Sequence, residues 1–270
     1  MRIPVSLLLA LAAAHVLAGC STIPVVNEFN AAAADLLLPP AEEKQLGLKV
    51  AAEVEGKSKL STDPELVRFV SQVGQRVART SPNPHRWAFT FKVVDEPKTV
   101  NAFAIPGGNI YVYSGLLKAA KDEAQLASVL AHEVAHVTSR HIAKRMVAAY
   151  GMETLSNVAL GKDANTLAQI GAAIATQGLL LKNSRDDEAE ADSKGVVATA
   201  RAGYDPRAMV EFFQILRKGE GNVPEFMAFL SDHPLTADRI RALLSDIQAK
   251  KLTGASRNET AYQAIQRRIP

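Results

Sequence analysis

Two histidines and a glutamate follow the pattern His-Glu-x-x-His at His132, Glu133 and His136. The surrounding residues, from Asp122 to about Ala149, contain no proline or glycine, which predicts one continuous helix with Asp122 as its N-cap. Residues four apart share a helix face, so both imidazoles can reach one zinc ion. Glu133 lies roughly 100° around the helix, where a carboxylate can accept a proton from a metal-bound water. The alternative is a chance match on an amphipathic helix with two core histidines.

Two acidic side chains further along the chain could complete such a site, because two histidine ligands need a third protein ligand. Glu188 and Asp192 are four residues apart, so they share one face of a predicted helix. The Glu188 carboxylate can bind zinc, while Asp192 can accept the free N–H of a ligand imidazole and so hold its tautomer. The alternative is a solvated acidic face, which is our interpretation of Asp186, Asp187 and Glu190.

The remaining pattern predicts the elements that must position these side chains. Alternating apolar residues predict a strand over residues 87–94, and two short runs joined by Pro106-Gly107-Gly108 predict a β-hairpin. Helices are predicted to begin at Asp63, followed by Pro64 at the first helical position, and at Ser184. The order predicts an α+β fold that is mostly helical, with a small antiparallel sheet beside the helix that carries the histidines.

The first nineteen residues are typical of a lipoprotein signal peptide. Arg2 is followed by an apolar stretch too short to span a bilayer, and Leu17-Ala18-Gly19-Cys20 resembles the bacterial lipobox, in which the cysteine is acylated. Cys20 is the only cysteine of the chain, so its lipidation would leave no thiol for a disulfide. The alternative is an ordinary secretory signal with an incidental cysteine.

The domain organisation follows from this start. Residues 1–19 are predicted to be the signal peptide, residues 20–40 the lipidated cysteine and a tether, and residues 41–270 a single domain. Ser21 after the cysteine resembles the outer-membrane sorting signal of Gram-negative lipoproteins. The formal net charge of the 270 residues is +3, with both signs mixed along the chain, which argues against a nucleic-acid partner.

Four separated motifs stand in the order found in one known family. They are Asn101 to Gly108, His132 to His136, Ser184-Arg185 with Glu188 to Asp192 and Gly195, and His233-Pro234 with Arg239-Ile240. Together they resemble metallopeptidase family forty-eight, the zinc peptidases that include HtpX and the CAAX prenyl proteases. Within it, the chain is most similar to small periplasmic lipoprotein members and the mitochondrial Oma type. The resemblance implies a zincin fold of the gluzincin type.

The resemblance also implies roles for individual residues. It makes His132, His136 and Glu188 the ligands of one zinc ion per chain, Glu133 the general base, and Asp192 a partner of a ligand imidazole.

Three further residues match family positions at the substrate. His233 and Arg239 fall where the family has groups that face the substrate carbonyl, so either could donate to the developing oxyanion, and Asn101 matches an asparagine at the cleft. The alternatives are a helix-capping loop histidine for His233 and a surface helix residue for Arg239.

The implied function is a zinc-dependent endopeptidase that hydrolyses misfolded or misassembled envelope proteins. Its expected location is the bacterial periplasm, anchored by lipid on Cys20 to the inner leaflet of the outer membrane. The alternative is a periplasmic chaperone or assembly factor whose zinc site is gated or latent because His233 closes it as a fourth ligand.

Overall fold

The computed structural model describes residues 38–177, 183–220 and 223–269, so the predicted signal peptide, Cys20 and most of the tether lie outside the described residues. The elements are, in chain order, α1 (Pro40–Lys57), α2 (Pro64–Ala78), β1 (Thr90–Val94), β2 (Ala102–Ile105), a 3₁₀ turn (Pro106–Gly108), β3 (Asn109–Tyr113), α3 (Ser114–Ala119), α4 (Glu123–Thr138), α5 (His141–Tyr150), α6 (Met152–Ala159), α7 (Ala164–Gln177), α8 (Arg185–Arg201), α9 (Arg207–Gly219), a second 3₁₀ turn (Pro224–Phe226), α10 (Met227–Asp232), α11 (Ala237–Ala249) and α12 (Glu259–Gln266). The mostly helical α+β prediction is confirmed.

The sheet is mixed, whereas the sequence predicted an antiparallel one. Its strand order is β1-β3-β2, and the predicted hairpin pairs β2 and β3 antiparallel across the turn at Pro106–Gly108. β1 pairs with β3 in parallel, in a register that starts with Thr90 opposite Asn109. The parallel pairing arises because the chain passes from β1 to the far edge of the sheet before it returns through the middle as β3.

The single helix predicted over residues 122–149 is in fact two helices, α4 and α5, that meet at Arg140. This residue adopts the left-handed conformation, with φ of 58°. Its guanidinium is buried and points to α1, with Nε 2.7 Å and Nη2 2.6 Å from Glu43 Oε2, and it also donates to the Leu38 carbonyl. A buried charge needs such partners, and reaching them diverts the chain from a straight helix.

Helix α4 runs through the centre of the fold, with all its residues buried except the last. Asp122 caps it as predicted, by accepting a hydrogen bond from the Gln125 amide at 2.8 Å. Helix α8 begins at its predicted cap, Ser184, and packs along α4. The two backbones approach so closely at Gly195 that a Cβ atom there would lie 3.1 Å from His132 Cα, which brings the acidic face of α8 to the histidines.

Helices α6 and α7 pack against α1. Their inward residues include Leu155, Val158 and Ile170, which are fully buried, so this alanine-rich part of the chain contributes to the core. Throughout the described ranges, the helices are too short or too polar to cross a membrane.

Candidate metal centre

Four buried side chains from three segments converge on one point. His132 and His136 lie on one face of α4, Glu188 lies in the first turn of α8, and His233 directly follows α10. Each is at most 2% exposed. The Nε2 atoms of His132 and His136 lie 3.0 Å apart, and His233 Nδ1 lies 3.0 Å from Glu188 Oε1 and 3.3 Å from His132 Nε2. The Glu188 carboxylate oxygens lie 3.4 Å from His132 Nε2 and 3.3 Å from His136 Nε2.

This donor set fits a zinc ion. Tetrahedral ligands at about 2.0–2.1 Å from zinc would lie about 3.3 Å from one another, close to the separations of these four groups. His132 Nδ1 lies 3.0 Å from Asp192 Oδ1, so in the neutral form of His132, the form that can bind a metal, the proton belongs on Nδ1 and Nε2 offers its lone pair to the centre. Lone pairs this close in a buried site repel one another unless a cation or shared protons lie between them.

Burial and the neighbouring charges shift the pKa values of this cluster. Burial acts to lower the pKa of His132, but the Glu188 and Asp192 carboxylates outweigh it and raise this pKa to about 10. The pKa of the adjacent His136 is lowered well below its usual value by burial. Burial opposes ionisation of Glu188, yet the charges of His233 and His132 hold the pKa of this carboxyl far below its usual range. The site therefore favours positive charge at its centre.

Glu133 stands beside the cluster and lines a small cavity. Its carboxylate is buried, and Oε1 forms no hydrogen bond with the described residues but lies 3.4 Å from His233 Nε2. Burial raises the pKa of this carboxyl. The cavity has about 10 Å³, room for roughly one water molecule. Its lining residues are Phe103, Ala104, Glu133, His136, Ile142, Arg145, Asn183 and His233.

Arg239 contacts Asp192 and Glu188 and does not line this cavity. Its Nε and Nη2 donate to the two carboxylate oxygens of Asp192 at 2.7 and 2.8 Å, and its Nη1 donates to the Pro234 carbonyl at 2.9 Å. Nη1 also lies 2.7 Å from Glu188 Oε2. The arrangement suits a residue that orients these two carboxylates, and it differs from the expectation that Arg239 faces a substrate carbonyl.

Asn101 contacts the residue that precedes His233. Its Nδ2 donates to Asp232 Oδ2 at 2.9 Å, and its Oδ1 accepts from the Ala102 amide. The side chain of Asn101 therefore restrains the residue before His233, instead of projecting into the cavity.

The structure adds residues that sequence reasoning missed. Asn183 Nδ2 lies 3.2 Å from His233 Nδ1, and its Oδ1 accepts a hydrogen bond from Arg145. Glu190, predicted to lie on a solvated face, instead has Oε2 3.2 Å from Nε2 of the fully buried His141. No local pattern distinguishes these residues, because each meets its partner only through the break at Arg140 or through contacts between distant segments.

Comparison with known proteins identifies related chains. Residues 64–247 match the sequence pattern of peptidase family M48. The chain is 32% identical over 211 residues to the beta-barrel assembly-enhancing protease of Escherichia coli (strain K12), a match that covers 74% of this chain and 42% of that protein. It is 33% identical over 196 residues to the mitochondrial metalloendopeptidase OMA1 of Schizosaccharomyces pombe, covering 71% and 57%. The matched region thus spans about two fifths of the bacterial relative and somewhat over half of the yeast one.

Proposed function

Because the chain belongs to peptidase family M48, we propose that it is a zinc-dependent endopeptidase whose metal ligands are His132, His136 and Glu188. The observation that carries the proposal is the convergence of these groups at separations of 3.0–3.4 Å, with the carboxylate of Glu133 beside them. A set of two imidazoles and one carboxylate is the donor set of catalytic zinc in peptidases, where one further position serves water or substrate.

The protein residues have distinct tasks in this mechanism. Zinc, when bound, polarises the scissile carbonyl and lowers the pKa of a water molecule to about 7. Glu133 receives the proton of the attacking water and returns it to the leaving amine. Its Oε1 is suited to this task because it is buried and accepts no hydrogen bond from the described residues. Asp192 holds the His132 tautomer, and Arg239 fixes Asp192 by two parallel hydrogen bonds.

We further propose that the substrates are misfolded or misassembled envelope proteins of a bacterium. The support is the similarity to proteases named for β-barrel assembly, together with the lipobox at Cys20, which would anchor the domain to the outer membrane. Strand β2 lies at an edge of the sheet, and its Phe103 and Ala104 line the cavity. An extended peptide would bind by adding a strand there.

The test is Glu133→Gln, which keeps the shape of the side chain and removes its basicity. We expect casein cleavage to fall by about 10²–10⁴-fold, while zinc content measured on the purified protein stays at one ion per chain. Glu65→Gln on the exposed face of α2 is the matched control and should cleave like wild type. Cleavage that survives in Glu133→Gln with zinc bound would contradict the mechanism.

A specific observation favours a second candidate function, that of a chaperone or assembly factor with a latent site. His233 Nδ1 lies 3.0 Å from Glu188 Oε1, close enough to serve as a fourth ligand of the proposed zinc ion, and the cavity has room for only about one water molecule. If His233 closes the site, His233→Ala should increase casein cleavage severalfold. If His233 instead stabilises the oxyanion, the same change should reduce cleavage. A chaperone activity would suppress aggregation of unfolded protein equally in wild type and Glu133→Gln.

A further inference from the structure

We propose that His141 is a positioning residue that holds the imidazole of His136 in the tautomer able to bind metal. The inference rests on the proposed zinc site and extends it to a residue outside the His-Glu-x-x-His motif. His141 Nδ1 lies 2.9 Å from His136 Nδ1, and both side chains are buried. His136 Nε2 is the atom that faces His132 Nε2 and Glu188.

The break between α4 and α5 brings the two rings together. In a straight helix, residues five apart point about 140° away from each other, so His141 could not face His136. The left-handed conformation of Arg140 turns the chain, and the ion pair with Glu43 holds this turn inside the fold. The contact between the two rings therefore depends on the left-handed conformation of Arg140, which is strained for a residue other than glycine.

The partners of His141 decide which nitrogen carries each proton. Its Nε2 lies 3.2 Å from Glu190 Oε2 and 3.4 Å from Asp187 Oδ1, and carboxylates accept hydrogen bonds. In the neutral form of the His141 imidazole, these acceptors therefore place the proton on Nε2 and leave a lone pair on Nδ1. His136 then donates its Nδ1 proton to that lone pair, so its Nε2 lone pair is directed to the metal.

Further hydrogen bonds hold the Glu190 carboxylate in place, and this restrains the contact of Glu190 with His141. Its Oε1 accepts hydrogen bonds from Lys194 Nζ at 2.5 Å and from the Ser139 hydroxyl at 3.1 Å. Each of the two proposed zinc ligands of α4 is therefore oriented by an acidic residue of α8. Asp192 contacts His132 directly, and Glu190 acts on His136 through His141.

The experiment compares two substitutions at His141 in the full chain. His141→Leu removes the acceptor at the position of Nδ1, whereas His141→Asn retains an acceptor oxygen there. Zinc affinity is measured by competition with a chromogenic chelator, and thermal unfolding of the metal-free proteins reports folding. His85→Leu, at an exposed histidine away from the site, is the matched control.

We expect His141→Leu to bind zinc about 10–100-fold more weakly than wild type. His141→Asn should stay within a few fold, and His85→Leu should not change. The inference would be overturned if His141→Leu bound zinc as tightly as wild type, or if His141→Leu and His141→Asn lost the same amount of zinc affinity. Either result would leave the proposed zinc site intact. A wild-type protein that binds no zinc would overturn the proposed function as well.

A spectroscopic readout keeps the test decisive if His141→Leu does not fold. In wild-type protein loaded with zinc, ¹H–¹⁵N spectra should show a slowly exchanging proton on His136 Nδ1. An unprotonated Nδ1 at His136 would contradict the proposed tautomer directly.

Discussion

Replacing Glu43 by leucine should lower the free energy of unfolding by about 3–5 kcal/mol, the usual cost of removing one partner from a buried ion pair. Glu43 is 1% exposed and Arg140 is 3% exposed, and their atoms lie 2.6 and 2.7 Å apart. The leucine would leave the guanidinium in the interior without its carboxylate. The loss is a large fraction of a typical stability of about 5–15 kcal/mol.

A double-mutant cycle tests whether the cost arises from a buried charge that has lost the opposite charge of its ion pair. Arg140→Met should cost a similar amount, but Glu43→Leu with Arg140→Met should cost less than the sum by about 2 kcal/mol or more, because neither charge is then left alone. The assay is urea denaturation of the metal-free proteins followed by circular dichroism.

The control is Arg68→Met, which removes an exposed partner of Glu65 and should change stability by no more than about 1 kcal/mol. Single substitutions at Glu43 and Arg140 that each cost less than 1 kcal/mol would refute the reasoning. Strict additivity in the double variant would refute it too, since additivity means that the two charges are not coupled.

Two further outcomes are expected. Gly195→Ala should destabilise the protein by about 1 kcal/mol, because the added Cβ would lie only 3.1 Å from the His132 backbone. This cost should outweigh the higher helix propensity of alanine. A gain in stability on urea denaturation would contradict the prediction. Arg257→Met should lower the thermal midpoint more at pH 7 than at pH 3. The hydrogen bond from Arg257 holds the pKa of Glu211 below its usual value of 4.5, so the stabilisation is present above pH 4.5 and is lost as the pH falls through the folded pKa. An effect of the substitution on the thermal midpoint that is the same at pH 7 and pH 3 would contradict this origin.

Local signals in the sequence determined much of the architecture. Asp122 and Ser184 accept hydrogen bonds from amides of the helices they begin, and the turn at Pro106–Gly108 joins the two strands predicted there. Such features depend on a few neighbouring residues, so the sequence suffices to predict them. The convergence of His132 and His136 is equally local, because four residues separate them on one helix.

The parallel pairing of β1 and the break at Arg140 depend on distant parts of the chain. The alternation in residues 87–94 predicts a strand but does not indicate its neighbour, and the structure begins that strand only at Thr90. Residues 122–149 favour one helix by propensity alone. The ion pair with Glu43, far earlier in the chain, overrides that preference because a buried guanidinium must have a partner.

The sequence by itself determined that this chain carries a His-Glu-x-x-His helix and an acidic helix with metal-ligand spacing. Only the tertiary structure decided that His233 lies within 3.0 Å of Glu188, that Arg239 donates to Asp192, and that His141 contacts His136. The physical reason is that a side chain's role in a buried site depends on which donors and acceptors remain to be paired. That pairing is made between segments that come together only in the folded chain.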